Sequence, residues 1–182
     1  MNLFDLHFSE AVETSSGLFG IWRVSAFAHI VELGQWEDEV AESSALERKI
    51  CAGSFVPINV GGDGAFQIAV RGVGSPGSLD GREREFLLVS SESYLLISGG
   101  HLALGGLEAV GSFGQNERVD IRLDPGRYAV VVHLVDWQAE PGMVESGGEP
   151  APGALPDFIV EIYASPPGEV GHRTVIDTFD RP

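Results

Sequence analysis

The stretch from 117 to 137, ERVDIRLDPGRYAVVVHLVDW, constrains the fold more than any other part of this chain. From Val119 to Asp124 apolar residues alternate with charged ones, which is the period-two pattern of a half-buried strand. Residues 128–135 are apolar on both faces, as is typical of a strand covered from both sides. Between them, Asp124-Pro125-Gly126 has the residue types of a tight turn. The stretch therefore predicts a hairpin with one strand central to a sheet.

Strand patterns recur along the rest of the chain. A glycine-rich turn at 61–64 separates two of them and predicts a second hairpin, from 55–60 to 65–73. The turn signals are spaced as expected for a sandwich or barrel. We therefore expect a mainly β fold, a single-domain antiparallel β-sandwich of about eight or nine strands with one short helix. The further predicted strands are 3–8, 20–33, 85–90, 94–98, 101–104, 157–165 and a short one at 174–176.

One segment has the period of a helix. Trp36, Val40, Leu46 and Ile50 fall on one apolar stripe at 100° per residue, which predicts a helix over residues 36–50. The segment at 138–156 is rich in proline, glycine and acidic residues and is too long for an ordinary connection. It is therefore either functional or mobile.

Length and charge limit the classes of function. A chain of 182 residues has the size of one domain, residues 1–182. Its 27 acidic and 11 basic residues give a formal charge of −16, which argues against a nucleic-acid binder. The acidity either keeps the protein soluble or steers it onto a basic partner. A single cysteine and an amino-terminus without a signal pattern predict a cytoplasmic protein, and no run predicts a membrane span.

Known catalytic and metal-binding motifs do not occur in the sequence. The five histidines are scattered, Cys51 has no nucleophile signature around it, and no phosphate-binding loop is present. We therefore predict no catalytic residue, no metal and no cofactor. His133 lies on the predicted central strand, where either a satisfied core role or a functional proton donor fits its chemistry.

Two dense acidic stretches, each beside a tryptophan, are the candidate partner-binding residues. An aromatic anchor beside carboxylates is the composition of a protein-binding hot spot. The alternatives are a solvated helix face, a wet loop, and tryptophans that serve the core. The candidates are Glu37, Asp38 and Glu39 beside Trp36, together with Asp136, Trp137 and Glu140.

The order of these patterns over residues 54–137 resembles the competence protein J family, bacterial inhibitors of a DNA-entry nuclease. The resemblance consists of the paired patterns at 54–73, the charged lead into a strand at 82–90, and the strand, proline-glycine and tyrosine at 119–128. The last motif also resembles strand entries in fibronectin-type and transthyretin-like sandwiches. The family resemblance implies an acidic protein that occupies the basic cleft of a nuclease by imitating phosphates, although it identifies no binding residue.

Three hypotheses follow from the sequence. The first is a non-enzymatic, acidic protein-binding domain that acts as an inhibitor or immunity factor for a basic nuclease or toxin. The alternative is a module for a small ligand or carbohydrate that uses Trp137 and the following loop as a platform. The third is an enzyme with a site built from His133, Asp136 and distant carboxylates. The sequence leaves the oligomeric state open.

Overall fold

Eight strands form the framework of the computed structural model, which describes residues 1–112 and 117–179. The mainly β prediction is confirmed. The strands are β1 (His7–Thr14), β2 (Leu18–Arg23), β3 (Phe55–Asn59), β4 (Gly64–Gly72), β5 (Leu87–Ser90), β6 (Tyr94–Gly106), β7 (Val119–Val135) and β8 (Phe158–Ala164).

All eight strands belong to one sheet, so the predicted division into the two sheets of a sandwich is not observed. The order is β1-β4-β8-β7-β6-β2-β3, and β5 pairs with β7 off this path. Pairing is antiparallel except between β4 and β8, which are parallel. The sheet curls over its own core, since the ring centroids of Phe19 on β2 and Phe66 on β4 lie 5.3 Å apart although three strands separate them in the sheet.

Aromatic side chains fill the space that the curled sheet encloses. The largest fully buried ones are Trp22, Tyr94, Phe19, Phe27, Phe55 and Phe158. On β2 a glycine makes this packing possible, because a Cβ atom at Gly20 would lie 2.1 Å from the ring of Phe55. Substitution there would force the ring out of its position.

The predicted helix over 36–50 is interrupted. Helix α1 (Leu33–Trp36) passes into a π-helical turn (Glu37–Ala41), and α2 (Ser43–Cys51) begins after a break at Glu42. The Glu42 side chain caps α2 by accepting from the Ala45 amide at 2.6 Å. A third helix, α3 (Gly81–Glu85), starts in a capping box formed by Asp80 and Glu83. The prediction of a single helix was therefore wrong, although Val40, Leu46 and Ile50 are buried as expected.

The prediction of a hairpin at Asp124-Pro125-Gly126 was also wrong. Strand β7 continues through these residues, and β6, which joins the predicted strands at 94–98 and 101–104, pairs along it. The register shifts between Ser98 and Gly100, and the Ser98 hydroxyl donates to the Leu123 carbonyl at 2.7 Å. Asp124 and Pro125 of β7 together face the single residue Gly99 of β6, so a bulge in β7 itself takes the place of the predicted turn.

Three further strand predictions are corrected. Strands β3 and β4 do not form a hairpin, because β3 pairs with β2 while β4 lies between β1 and β8. The predicted strand over 20–33 ends at Arg23, where the chain turns into a 3₁₀ turn at Val24–Ala26. The predicted strand at 174–176 is not formed, and the described tail contributes single bridges at Arg173 and Thr178 instead.

Candidate protein-binding site

A groove of about 840 Å³ runs beside β1 and is lined by carboxylates. Its acidic residues are Glu10, Glu13, Glu108 and Glu117, and we call it the acidic groove. Among the described residues of its lining Arg118 is the one basic residue, and its guanidinium lies 3.6 Å from the Asp120 carboxylate. The groove therefore presents an excess of negative charge to whatever enters it.

Three separate elements position these carboxylates. Glu10 and Glu13 are exposed on β1, where the strand lies at the margin of the sheet. Glu108, in the turn after β6, accepts hydrogen bonds from the Ser15 amide at 2.9 Å and the Ser16 hydroxyl at 3.0 Å. Glu117 precedes β7. The turn between β1 and β2 therefore orients the carboxylate of Glu108. The carboxylates of Glu10, Glu13 and Glu117 form no ion pair among the described residues.

Two smaller hollows continue the acidic groove across β1 and β4. A hollow of about 470 Å³ shares Ala11 and Ala65 with the groove and reaches Trp137. A third, of about 250 Å³, adjoins it and is bounded by the loop at 150–156. Asp157 lines both of these smaller hollows. Its carboxylate holds Gln67 and Trp137 in place by accepting hydrogen bonds from the Gln67 amide and from the Trp137 indole, both at 2.8 Å. The groove and the two hollows together form a trough, which extends from Glu117 to the segment at 138–156 that we call the acidic loop.

The chemistry of the trough suits the binding of cationic groups. Among the described residues no cluster of three or more His, Cys, Asp or Glu side chains could hold a metal ion. No helix within residues 1–112 and 117–179 is long and apolar enough to cross a membrane. What the trough offers is carboxylate oxygens and small side chains, which suit lysine and arginine side chains of a protein partner.

The first predicted acidic cluster lies outside the acidic groove. Glu37 and Asp38 are exposed on the π-helical turn. Glu39 is engaged by Lys49 and His29, each at 2.7 Å, and these hydrogen bonds lower the pKa of its carboxyl group. The Trp36 indole donates to the Leu107 carbonyl at 3.1 Å, so this cluster adjoins the groove at the residue before Glu108.

The second predicted cluster lies at the opposite end of β7. Trp137 is only 6% exposed and packs in a small core with Leu155 and Ile159, although its edge also lines the two hollows. Asp136 caps the 3₁₀ turn that follows β7 by accepting from the Ala139 amide. Glu140 forms two hydrogen bonds with Arg82, at 2.6 and 2.7 Å. The structure therefore does not bring the two predicted clusters together, and the trough runs between them.

His133 belongs to a buried polar network. Its Nδ1 is hydrogen-bonded to the Ser90 hydroxyl at 2.7 Å, and its Nε2 lies 3.4 Å from a carboxylate oxygen of Glu161. Burial would raise the pKa of Glu161, but the neighbouring His133 imidazole and hydrogen bonds from the Gly77 amide, Arg71 and the Ser78 amide lower it to about 2. Asp136 is not among these partners, and none of the three hollows described above is lined by His133.

The sequence analysis missed the four carboxylates of the acidic groove. The predicted strand at 3–8 stopped short of Glu10 and Glu13, although β1 runs from His7 to Thr14. Glu108 and Glu117 carry no local signal, because they approach β1 only through the long-range pairing of the sheet. An extended strand pattern after Phe8 is the one sequence signal that could have identified Glu10 and Glu13 as neighbours on an edge.

Comparisons with known proteins identify the fold. No family description and no curated protein matches the sequence. Two solved structures are similar to this chain. One is described as crocagin biosynthetic gene J, with 16% identity, a TM-score of 0.59, and coverage of 88% of this chain and 98% of the other. The other is ComJ from Bacillus subtilis, inhibitor of the DNA degrading activity of NucA, with 8% identity and a TM-score of 0.51, covering 87% and 96%. The resemblance to the competence protein J family is thereby confirmed at the level of the fold.

Proposed function

We propose that this protein is a non-enzymatic inhibitor that binds a basic nuclease through the acidic groove. The observation that carries the proposal is the groove itself, in which four carboxylates and one arginine line a cleft beside an edge strand. The fold is shared with ComJ, which inhibits the DNA degrading activity of a nuclease. Among basic proteins, this similarity favours a nuclease as the partner.

The physical basis of inhibition is competition for the cations of the nuclease. Nucleases hold DNA largely through lysine and arginine contacts to phosphates. Carboxylates presented by a rigid sheet can occupy the same cations, and they bring no bond that the nuclease can cleave. With a formal charge of −16 the inhibitor is repelled by DNA, so it does not itself bind the substrate.

The proposed inhibitor is a single domain that works in the cytoplasm as an immunity factor. Its one cysteine suits a reducing compartment, where disulfides rarely persist. The rival carbohydrate module requires an exposed aromatic platform. Trp137 does not supply one, because its ring is packed into the small core under the loop.

The test uses the DNA-degrading activity of the organism that makes the protein. An extract is separated by cation exchange, and each basic fraction is assayed on fluorescent linear DNA with and without the purified protein. We expect one fraction to lose its activity in proportion to added protein at low salt. Charge removal in the groove by Glu10→Gln, Glu13→Gln and Glu117→Gln should then weaken inhibition by about tenfold or more.

A matched triple variant controls for net charge. Asp5→Asn, Glu32→Gln and Glu85→Gln remove the same number of exposed carboxylates away from the trough. This control should inhibit like the parent protein. A separate Glu37→Gln, Asp38→Asn variant examines the other acidic surface, and a loss confined to it would move the site there. If no basic fraction is inhibited at any salt concentration, the proposed function is wrong.

A further inference from the structure

We infer that the partner docks by adding an extended, basic segment of its own chain to β1 as a ninth strand. This inference rests on the proposed function and specifies how the nuclease is held. It starts from the position of β1, which ends the sheet and pairs on one side only, with β4. A strand in that position presents a row of backbone donors and acceptors to a new neighbour.

The hydrogen bonds of the structure show which backbone groups of β1 point outward. In an antiparallel pair, alternate residues exchange both bonds with their partner, and the residues between them point away. The Gly72 amide donates to the Leu6 carbonyl at 2.8 Å, which places Leu6 and then Phe8, Glu10 and Val12 on the bonded side. The outward residues are therefore His7, Ser9, Ala11 and Glu13.

An independent contact confirms which residues of β1 point outward. Gln67 pairs with Ala11 across the two strands, and the Gln67 amide donates to the Asp157 carboxylate at 2.8 Å. This donor points away from β1, so Gln67 and Ala11 are not a bonded pair. The amide and carbonyl of Ala11 accordingly face the open side, where Ala11 and Glu13 line the acidic groove.

The opposite edge of the sheet is protected in a way that β1 is not. Strand β3 carries Pro57, and the bonds from the Val60 amide to the Gly17 carbonyl and from the Arg23 amide to the Ser54 carbonyl place the proline nitrogen on the outer side. A proline there removes a donor from the exposed edge. The tail also bridges β3, since Thr178 pairs with Asn59. Of the two strands that end the main path of the sheet, β1 is thus the one without a proline or a bridging segment among the described residues, and the other strand with a single neighbour, β5, offers an edge of only four residues, Leu87–Ser90.

The charges of the edge select the incoming segment. Glu10 and Glu13 lie three residues apart on opposite faces of β1, and Glu117 stands on the far wall of the groove. Lysines or arginines three residues apart on an added strand would meet both β1 carboxylates, because directly opposite pairs approach within contact distance. A second copy of this chain would bring its own Glu10 and Glu13 to the edge, and like charges opposite each other are destabilising. The edge therefore accepts a basic strand and rejects self-pairing.

The first experiment uses a defined peptide on the parent protein. The probe is a capped eight-residue peptide of valine and threonine with lysines at positions 2 and 5. Two analogues carry the same charges, one N-methylated on its odd residues and the other on its even residues. Because only alternate amides of an added strand face β1, one analogue should bind like the probe and the other should bind at least about tenfold more weakly.

Amide hydrogen exchange reports where the probe binds. In the free protein the amides of Ala11 and Glu13 should exchange faster than those of Glu10 and Val12, and the probe should slow them at least about tenfold. Equal binding of both analogues, absence of binding by the probe, or binding without protection of Ala11 and Glu13 would overturn the inference. So would a dimer of the free protein that protects these two amides.

A second experiment separates this inference from the proposed function. Ala11→Pro removes one outward donor without removing a bond to β4, and edge positions of this kind tolerate proline. We expect it to weaken inhibition of the sensitive nuclease fraction at least about tenfold while its thermal midpoint stays near that of the parent. Full inhibition by a folded Ala11→Pro variant, together with equal binding of the two analogues, would leave the inhibitor intact and refute strand addition. Absence of any inhibited fraction would instead refute the proposed function.

Discussion

At the scale of single residues, the most unusual feature is a carboxylate with no exposed surface. Glu161 on β8 is 0% exposed, and it accepts hydrogen bonds from Arg71 at 3.1 Å and from the Gly77 amide at 2.7 Å. Arg71 also forms two bonds with Glu83, which belongs to the capping box of α3. The network therefore attaches the loop before α3 to the parallel pair of β4 and β8. A buried charge of this kind is costly unless every partner stays in place.

The first prediction is that Glu161→Gln destabilises the protein by about 3 kcal/mol at neutral pH, because Arg71 and His133 lose a buried anionic partner. The pH dependence should change as well. The pKa of Glu161 is lowered from 4.5 to about 2 in the folded protein, so its contribution to stability is present above pH 4.5 and is lost as the pH falls towards 2. The variant should lose less stability than the parent over that window. Urea unfolding at a series of pH values measures both effects.

The control for this prediction is Glu13→Gln, which removes an exposed carboxylate from β1. Its unfolding free energy should stay within about 0.5 kcal/mol of the parent, as is usual for surface substitutions. Parallel stability curves for parent and Glu161→Gln between pH 4.5 and 2 would contradict the role assigned to the buried carboxylate.

At the scale of elements, most strands were predictable because their side chains follow a period of two. Strand β8 lies within a predicted strand, β4 matches another to within one residue at each end, and the apolar part of β7 is buried from Tyr128 to Val135. The continuation of β7 through Pro125, where a turn was predicted, could not be predicted from the local sequence. Asp124 is held by the amino-terminus, whose ammonium group lies 3.0 Å from its carboxylate, and its carbonyl accepts from the Tyr128 hydroxyl at 2.9 Å. The distant amino-terminus, together with the nearby Tyr128 hydroxyl, thus keeps a turn-like sequence extended.

The sequence likewise did not predict which strands pair with each other. The glycines at 61–64 indicated a hairpin, but β3 and β4 leave that turn towards opposite ends of the sheet. Hydrophobic alternation shows which face of a strand is buried and says nothing about its neighbour. For the same reason the acidic groove could not be predicted, since it forms between β1 and the start of β7, which are more than a hundred residues apart in the chain.

The second prediction concerns the acidic loop after β7. Arg82 holds this loop through both carboxylate oxygens of Glu140 and through the Gly153 carbonyl at 2.8 Å. Glu140→Gln should weaken this attachment by about 1 kcal/mol, so that amides of residues 138–156 exchange about fivefold faster while global stability changes little. Hydrogen exchange followed by mass spectrometry measures the loop separately from the sheet.

Glu145→Gln is the matched control for the loop. Its side chain is exposed in the same segment, so exchange there should be unchanged. Equal exchange rates in Glu140→Gln and the parent would show that Arg82 does not restrain the loop. Uniformly faster exchange in every strand would instead indicate a loss of global stability.

At the scale of the whole molecule, the charge of −16 acts at long range and the acidic groove acts on contact. A strongly negative protein attracts a basic partner from any direction, which raises the rate of encounter without selecting an orientation. The groove concentrates carboxylates beside a free sheet edge, which selects one orientation. The two contributions can be separated, because distant charges are screened by salt more strongly than those in contact.

The third prediction therefore concerns the salt dependence of binding to the sensitive nuclease. The groove variant (Glu10→Gln, Glu13→Gln, Glu117→Gln) and the control variant (Asp5→Asn, Glu32→Gln, Glu85→Gln) both have a formal charge of −13, because each loses three of the sixteen excess negative charges. Stopped-flow association rates should fall with increasing salt for both variants, by similar factors, since the screening length shrinks from about 10 Å at 0.1 M to about 3 Å at 1 M. The dissociation rate should rise at least about tenfold in the groove variant alone, since only that variant loses ion pairs made in the complex. Equal dissociation rates for the two variants would show that net charge, and not the acidic groove, holds the partner.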